Sequence, residues 1–349
     1  MKVLSNPISK ILSVNSSSHH LGNFKYGNIK NSAVKNDYTD SPVLTLDLSL
    51  ITEDVQKESI SMSFYGIFSH IKSNYIVRDR NFFAFGNTKL VIKNLFDDVV
   101  YISASKLYNF WALSRFSKLK SVGVEMTDIA TINLLDKGYL SFHGGCVASN
   151  EKGHIITGLP DMGKTLTTMK LLEDDQISYL SEDILLIDES LTAFAVPYTQ
   201  TVEKRRGLGF FESVYAKVYE GLFKNNFIKT DIFEAIPGIR ARTLDSTNID
   251  TIFFLVRGPK SCVVAVEKAK EDLLLQTIQL NNLEFTYFRN EMILSYLFFN
   301  DSRDINYFLQ KEKKMITDLF AHKKVVIVSA ETAFGYHEQI KSYIAHLAV

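Results

Sequence analysis

The clearest pattern early in the chain is a strict alternation. Leu44, Leu46, Leu48 and Leu50 are apolar, and Thr45, Asp47 and Ser49 between them are polar. A period of two puts the four leucines on one face of an extended segment, so a half-buried strand is expected. Strand-length apolar runs follow at 60–67, 74–78, 82–86, 89–95 and 99–102, with turn residues such as Gly86-Asn87 between them. Residues 41–135 therefore read as a mostly antiparallel β domain with short helices. Residues 1–40, rich in Ser, Asn and Lys, read as a loosely ordered lead-in. A helical period appears at 104–120, where Leu107, Phe110, Trp111 and Leu113 form a stripe. Trp111, the only tryptophan, is expected in the core. A second short helix is expected over 127–136.

From about residue 136 the pattern changes to short apolar runs separated by helical segments. Tyr139 to Ala148 reads as strand, glycine turn and strand. His154 to Thr157 reads as a buried strand. Leu166 to Leu172, apolar at 166, 169, 171 and 172, reads as a helix. Further strands are expected at 184–187, 252–256, 262–266 and 325–328. Further helices are expected at 268–281, 289–299, 303–321 and 331–347. This alternation predicts an α/β domain over 136–349.

Between the strand and helix of that domain lies Gly158-Leu159-Pro160-Asp161-Met162-Gly163-Lys164-Thr165, which fits G-x-x-x-x-G-K-[ST]. Glycines let the backbone turn its N–H groups inward around phosphate oxygens. Lys164 would reach the β- and γ-phosphates, and the Thr165 hydroxyl would sit on Mg²⁺. The helix that follows aims its positive end at the same place. Pro160 lacks an N–H, so the loop has one donor fewer.

Composition adds limits rather than chemistry. The 349 residues suit one large or two ordinary domains, and 46% hydrophobic with 22% charged is ordinary for a globular chain. Lys plus Arg and Asp plus Glu number 39 each, which points to neither nucleic acid nor an anionic membrane as the main partner. Cys146 and Cys262 are too few for a disulfide framework. No apolar run reaches 18 residues, and MKVLSNPISKIL lacks a secretory h-region. A soluble cytoplasmic protein is expected.

Three other features bear on chemistry. Glu182-Asp183 lies between apolar runs, downstream of the phosphate loop, where Mg²⁺ or a general base is needed. His143 lies upstream at the end of an expected strand. Lys204-Arg205-Arg206-Gly207-Leu208-Gly209 and the later Arg240 and Arg242 read as basic, mobile segments able to approach phosphates.

In series, His143-Gly144, the phosphate loop, the acid pair and Arg206-Gly207-Leu208-Gly209 resemble the C-terminal catalytic domain of HPr kinase/phosphorylase. That fold is related to phosphoenolpyruvate carboxykinase, and looser relatives phosphorylate ribosomally made peptides such as lasso precursors. The likeness covers roughly 138–260. It implies a phosphoenolpyruvate carboxykinase-like P-loop core, here with an N-terminal mostly-β domain. It implies ATP held by Gly158, Leu159, Pro160, Asp161, Met162, Gly163, Lys164, Thr165 and Leu166, with Arg206 nearby, and Mg²⁺ held by Thr165 and Asp183. Glu182 would be the base toward an acceptor hydroxyl, helped by His143, with Lys164 stabilising the transferred group. Two positions depart from the family pattern: Glu182 stands where the family has an aspartate, and Lys204 stands where a metal-binding glutamate is usual, with Glu203 one residue earlier. The phosphorylase half-reaction is therefore not the expectation, and because the N-terminal part does not resemble the regulatory domain of the bifunctional enzyme, neither is HPr as the substrate. The expected activity is transfer of the γ-phosphoryl group to a hydroxyl, serine foremost, of a protein or peptide. A catalytically weak nucleotide-binding sensor or scaffold and a small-molecule kinase are the alternatives. A homo-oligomer is implied by the resemblance alone.

Overall fold

The leucine alternation at 44–50 forms a central strand. Leu44, Leu46 and Leu48 are buried, and the polar residues between them are half-buried. A computed structural model describes residues 3–8, 10–16, 24–26, 42–51, 61–64, 67–70, 74–81, 86–114, 119–196, 238–266, 270–300 and 303–347. The first elements are β1 (Val3–Ile8), β2 (Leu12–Ser16), β3 (Leu44–Leu50), β4 (Ser61–Phe64), β5 (Ile67–His70), β6 (Tyr75–Asn81), β7 (Asn87–Lys93) and β8 (Val99–Ala104). Then come α1 (Lys106–Leu113), α2 (Val122–Asp136), β9 (Tyr139–His143), β10 (Gly145–Ser149), β11 (Lys152–Gly158), α3 (Lys164–Leu171), β12 (Ser178–Ser181), β13 (Ile184–Asp188) and β14 (Thr192–Phe194). The last are β15 (Ser246–Arg257), β16 (Cys262–Ala265), α4 (Lys270–Glu284), α5 (Glu291–Asn300), α6 (Ile305–His322), β17 (Lys324–Ala330) and α7 (Tyr336–Leu347). The fold is mixed α/β.

One compact unit holds Met1–Lys137 and Thr286–Leu309. Its sheet runs β1-β2-β3-β8-β7-β6-β5-β4. Most pairings are antiparallel, but β3 is parallel to both β2 and β8. The segment read as a loose lead-in thus supplies two strands, because Leu12 and Val14 are buried beside Leu44 and Leu46. Helix α2 starts at 122 rather than 127, since the Ser121 hydroxyl caps it by accepting from Val124 N–H at 3.3 Å. Helix α1 ends at Leu113, and Ser114 turns back to extended geometry. Its stripe is rotated from the expected one: Tyr108 and Ala112 are buried, Phe110 is 61% exposed, and Trp111 is only half-buried.

Residues 286–309 join this unit through a buried polar network. Arg78 donates to Glu125 at 2.7 Å, and Asn290 Nδ2 donates to Glu125 at 2.7 Å and to Asp128 at 2.9 Å. Lys120 completes it, 2.8 Å from Asp128. Buried charges persist only where such partners exist.

The other unit comprises Gly138–Val202, Thr230–Phe285 and Gln310–Val349. Its sheet runs β12-β10-β11-β15-β14-β13-β9, and β17 pairs with β15 and β16. Strands β11, β15 and β17 are parallel, with Gly158 level with Leu255 and Leu255 level with Val328. Their C-terminal ends form one edge, where open α/β sheets bind ligands. Helices α3 and α7 cover one face over a core of Ile156, Leu171, Phe253, Val326, Val328, Tyr336 and Ile340. The closing helix starts at Tyr336, because residues 332–335 form a turn closed by Gly335 N–H to Thr332 O at 3.1 Å. Among the described residues, no helix is long and apolar enough to cross a membrane.

His154 lies inside this sheet, 3.0 Å from the Ser149 hydroxyl. Burial lowers its pKa from 6.5 to about 4, with Asp250 opposing the shift and Lys152 and Lys324 adding to it. A histidine with a depressed folded-state pKa contributes stability that is complete above its unfolded pKa and lost as pH falls toward the folded value. The chain is therefore expected to lose about 3 kcal/mol of stability between pH ~6.5 and ~4 through this group. Urea unfolding at several pH values checks it: His154→Gln should flatten that interval, and an unchanged slope would contradict the assignment.

Candidate functional site

The loop between β11 and α3 has the geometry its sequence requires. Gly158 has φ of 151°, and a Cβ there would lie 2.9 Å from Leu255 O. Gly163, which caps α3, has φ of 95°, and a Cβ there would come within 2.5 Å of Ala333 Cβ. Neither site tolerates a side chain. Between them Met162 N–H reaches back to Leu159 O at 3.4 Å. Pro160 occupies the second position of that turn, and Asp161, at φ of 60°, the third. That order suits a type II turn, in which proline presets the first central φ and a left-handed residue follows.

Lys164 is the buried cation of the loop. Its ammonium donates to Gly158 O at 3.0 Å and Leu159 O at 3.2 Å. Burial pushes its pKa below the usual lysine value, and the negative charges of Asp183, Glu284 and Asp161 act against that. Thr165 and Leu166 follow in the first turn of α3, half-buried. The N–H groups of a first helical turn have no partners within the helix and point along its axis.

The histidine ends a strand, and the acids lie in the turn that leads into the strand beside it. His143 ends β9 and pairs with Ile184 at the start of β13, and Gly144 N–H donates to Asp183 O at 2.9 Å. This register brings Asp183 Oδ1 to 3.9 Å from His143 Nδ1. Glu182 is 1% exposed. Its carbonyl oxygen and the Thr168 hydroxyl would lie 3.0 and 2.7 Å from any Cβ on Gly145, so Gly145 lets α3 pack directly on this turn. The Thr157 hydroxyl donates to His143 O at 3.2 Å, tying the β11 strand to the end of β9.

Two residues of the site carried no sequence signal. Glu284, at the end of α4, places Oε2 3.6 Å from His143 Nδ1. Asn281, one turn earlier, accepts from His143 N–H at 2.9 Å and donates to Ser141 O at 2.9 Å and to Glu312. A helix whose residues i and i+3 share a face can present both at once. The expected helix stopped at 281, so Glu284 fell outside it.

Other expectations change. Arg242 does not lie free for phosphate: its guanidinium donates to the carbonyls of Asp174, Ile177 and Leu172 at 2.7, 2.8 and 3.0 Å, closing the chain after α3. A planar fork with five donors suits several converging carbonyls. Arg206, with Glu203, Lys204, Arg205 and the glycines at 207 and 209, lies outside the described residues.

The residues present fit phosphate oxygens and a divalent cation. A glycine cradle, a helix start and a buried ammonium suit phosphate oxygens. One hydroxyl, Thr165, and one carboxylate, Asp183, suit a hard cation that keeps phosphate and water oxygens as its other ligands. Among the described residues, no three His, Cys, Asp or Glu side chains gather as a ligand set.

Replacing Asn281 with leucine removes three hydrogen bonds around His143. The expected loss is about 3 kcal/mol, read from the urea midpoint. A change below about 0.5 kcal/mol would mean Asn281 does not hold the end of β9.

No protein-family model matches the chain, and no curated protein matches it. Among solved structures, it is similar to an HPr(Ser) kinase/phosphatase from Coxiella burnetii, at 8% identity over 60% of this chain and 99% of that one, with a TM-score of 0.29.

Proposed function

We propose that the chain is an ATP-dependent phosphotransferase that moves the γ-phosphoryl group to a hydroxyl, serine on a protein or peptide being the acceptor class. The observation that carries this reading is the buried Lys164 ammonium. It is held at the mouth of a glycine loop, in the field of Asp183 and Glu284, and Asp183 and Glu284 also flank His143. A buried cation and two acids are thereby gathered in one unit.

In the proposed reaction the acceptor oxygen bonds to the γ-phosphorus, and the bond from that phosphorus to the β–γ bridging oxygen breaks, releasing ADP. The acceptor proton passes to the Glu182 carboxylate, with His143 orienting it. Lys164 and the first amides of α3 bind the phosphate oxygens over which negative charge spreads. Bound Mg²⁺ would neutralise the charge of the phosphates and would be held by Thr165 and Asp183. The likeness in motif order, from His143 to the acid pair, supports the same reading.

A nucleotide-binding sensor is the second reading, and Lys204 in place of an acid favours it. Labelled ATP with a panel of serine-containing peptides separates the two. Phosphopeptide formation is expected. Lys164→Ala should abolish both ATP binding and transfer. Glu182→Gln should leave binding within about twofold and cut transfer by at least ~10²-fold. ATP bound without any labelled product would favour the sensor. Turnover untouched by Lys164→Ala would overturn the phosphate assignment.

A further inference from the structure

A second concave site lies at the opposite end of the parallel strands of the α/β unit. The phosphate loop follows the C-terminal end of β11, whereas a cavity of about 360 Å³ lies at the start of β17. The seven residues of β17 set it about 20 Å from the edge that carries the loop. Its volume is in the range of small-molecule sites. All of its lining residues belong to this one unit. Two kinds of wall meet there. Val266, Val326 and Tyr343 form an apolar one. Val266 N–H donates to Val325 O at 2.9 Å, which closes the side next to β16. Tyr343 is held edge-to-face against buried Phe253, with ring centroids 5.6 Å apart.

The other wall is basic. Lys270, His322, Lys323 and Lys324 line the cavity, and among the described residues no carboxylate does. The chain has as many acidic as basic residues, so this grouping is a local excess. Three of the four side chains are engaged. Lys270 Nζ donates to Phe320 O at 3.3 Å and His322 Nδ1 to Asp318 O at 2.8 Å, as basic side chains at a helix C-terminus commonly do. Lys324 Nζ lies 3.8 Å from Asp250. Lys323 is half-buried, yet among the described residues its ammonium has no partner. Such a group gives up part of its hydration with no compensating contact.

We propose that this cavity binds a small organic anion, its charged head against Lys323 and its apolar body against Val266, Val326 and Tyr343. The site is separate from the phosphate loop, and the proposal does not depend on how that loop is read. Carboxylate and phosphate heads both meet the charge requirement, and the apolar wall selects for a body attached to either.

Calorimetric titration of the full chain with phenyl phosphate, benzoate, inorganic phosphate and benzyl alcohol tests this. At least one of the two aromatic anions is expected to bind with a Kd of about 1 mM or tighter. Inorganic phosphate and benzyl alcohol, each with only one of the two features, should bind at least about tenfold more weakly. Lys323→Glu should weaken the aromatic anion about tenfold or more by setting like charge against its head, and Lys323→Gln should weaken it by less. Lys164→Ala should leave its affinity unchanged. Affinity lost in Lys164→Ala but kept in Lys323→Glu would overturn the site by placing the anion at the phosphate loop. Benzyl alcohol bound as tightly as the anions, or neither aromatic anion bound at about 10 mM, would overturn it as well.

Discussion

A buried ammonium sets the terms for the whole α/β unit. Lys164 sits at the base of a helix with little access to water, where an unpaired charge is costly. Two carbonyls, from Gly158 and Leu159, accept from it. Gly158 itself takes a backbone geometry that other residues rarely adopt, and Leu255 would collide with any side chain there. Three acids from different parts of the chain, Asp161, Asp183 and Glu284, add their field. The strand must end, the helix must begin and the acids must arrive at one point for the cation to remain.

The support around that point is made of backbone contacts as much as side chains. Gly145 brings α3 against the acid turn, Gly163 brings the 332–335 turn against the phosphate loop, and Thr157 links β11 to His143. Asn281 holds the backbone of His143, and Arg242 gathers three carbonyls after α3. Such positioning groups hold the side chains around them in one arrangement. The β-rich unit uses different means: its Arg78–Glu125–Asn290–Asp128 network ties a late segment of the chain to an early strand and helix. A network in which each charge has a partner defines one pairing over its competitors.

Much of this was legible residue by residue. The alternation at 44–50, the strand before Gly158 and the helix after Lys164 follow from periodicity and glycine placement, and each element lies where these patterns put it. Boundaries shifted where a cap or a turn decided them, as at Ser121 and at Thr332–Gly335. The first strands escaped notice because Leu12 and Val14 lie in a polar stretch, and only pairing with β3 buries them. Phe110 looked like core because helical spacing alone does not say which side of the stripe meets the sheet.

The amino-acid order by itself determined many local geometries: where glycine must bend the chain, where a proline and an aspartate make a turn, and the strands and helices whose periodicity is regular. These depend on sterics and periodicity within a few residues. The tertiary structure alone decided that Glu284 and Asn281 meet His143, that Arg242 is spent on carbonyls, and that Ala333 packs on Gly163. Those meetings depend on strand register and helix packing between distant segments, and no short-range pattern in the chain encodes them.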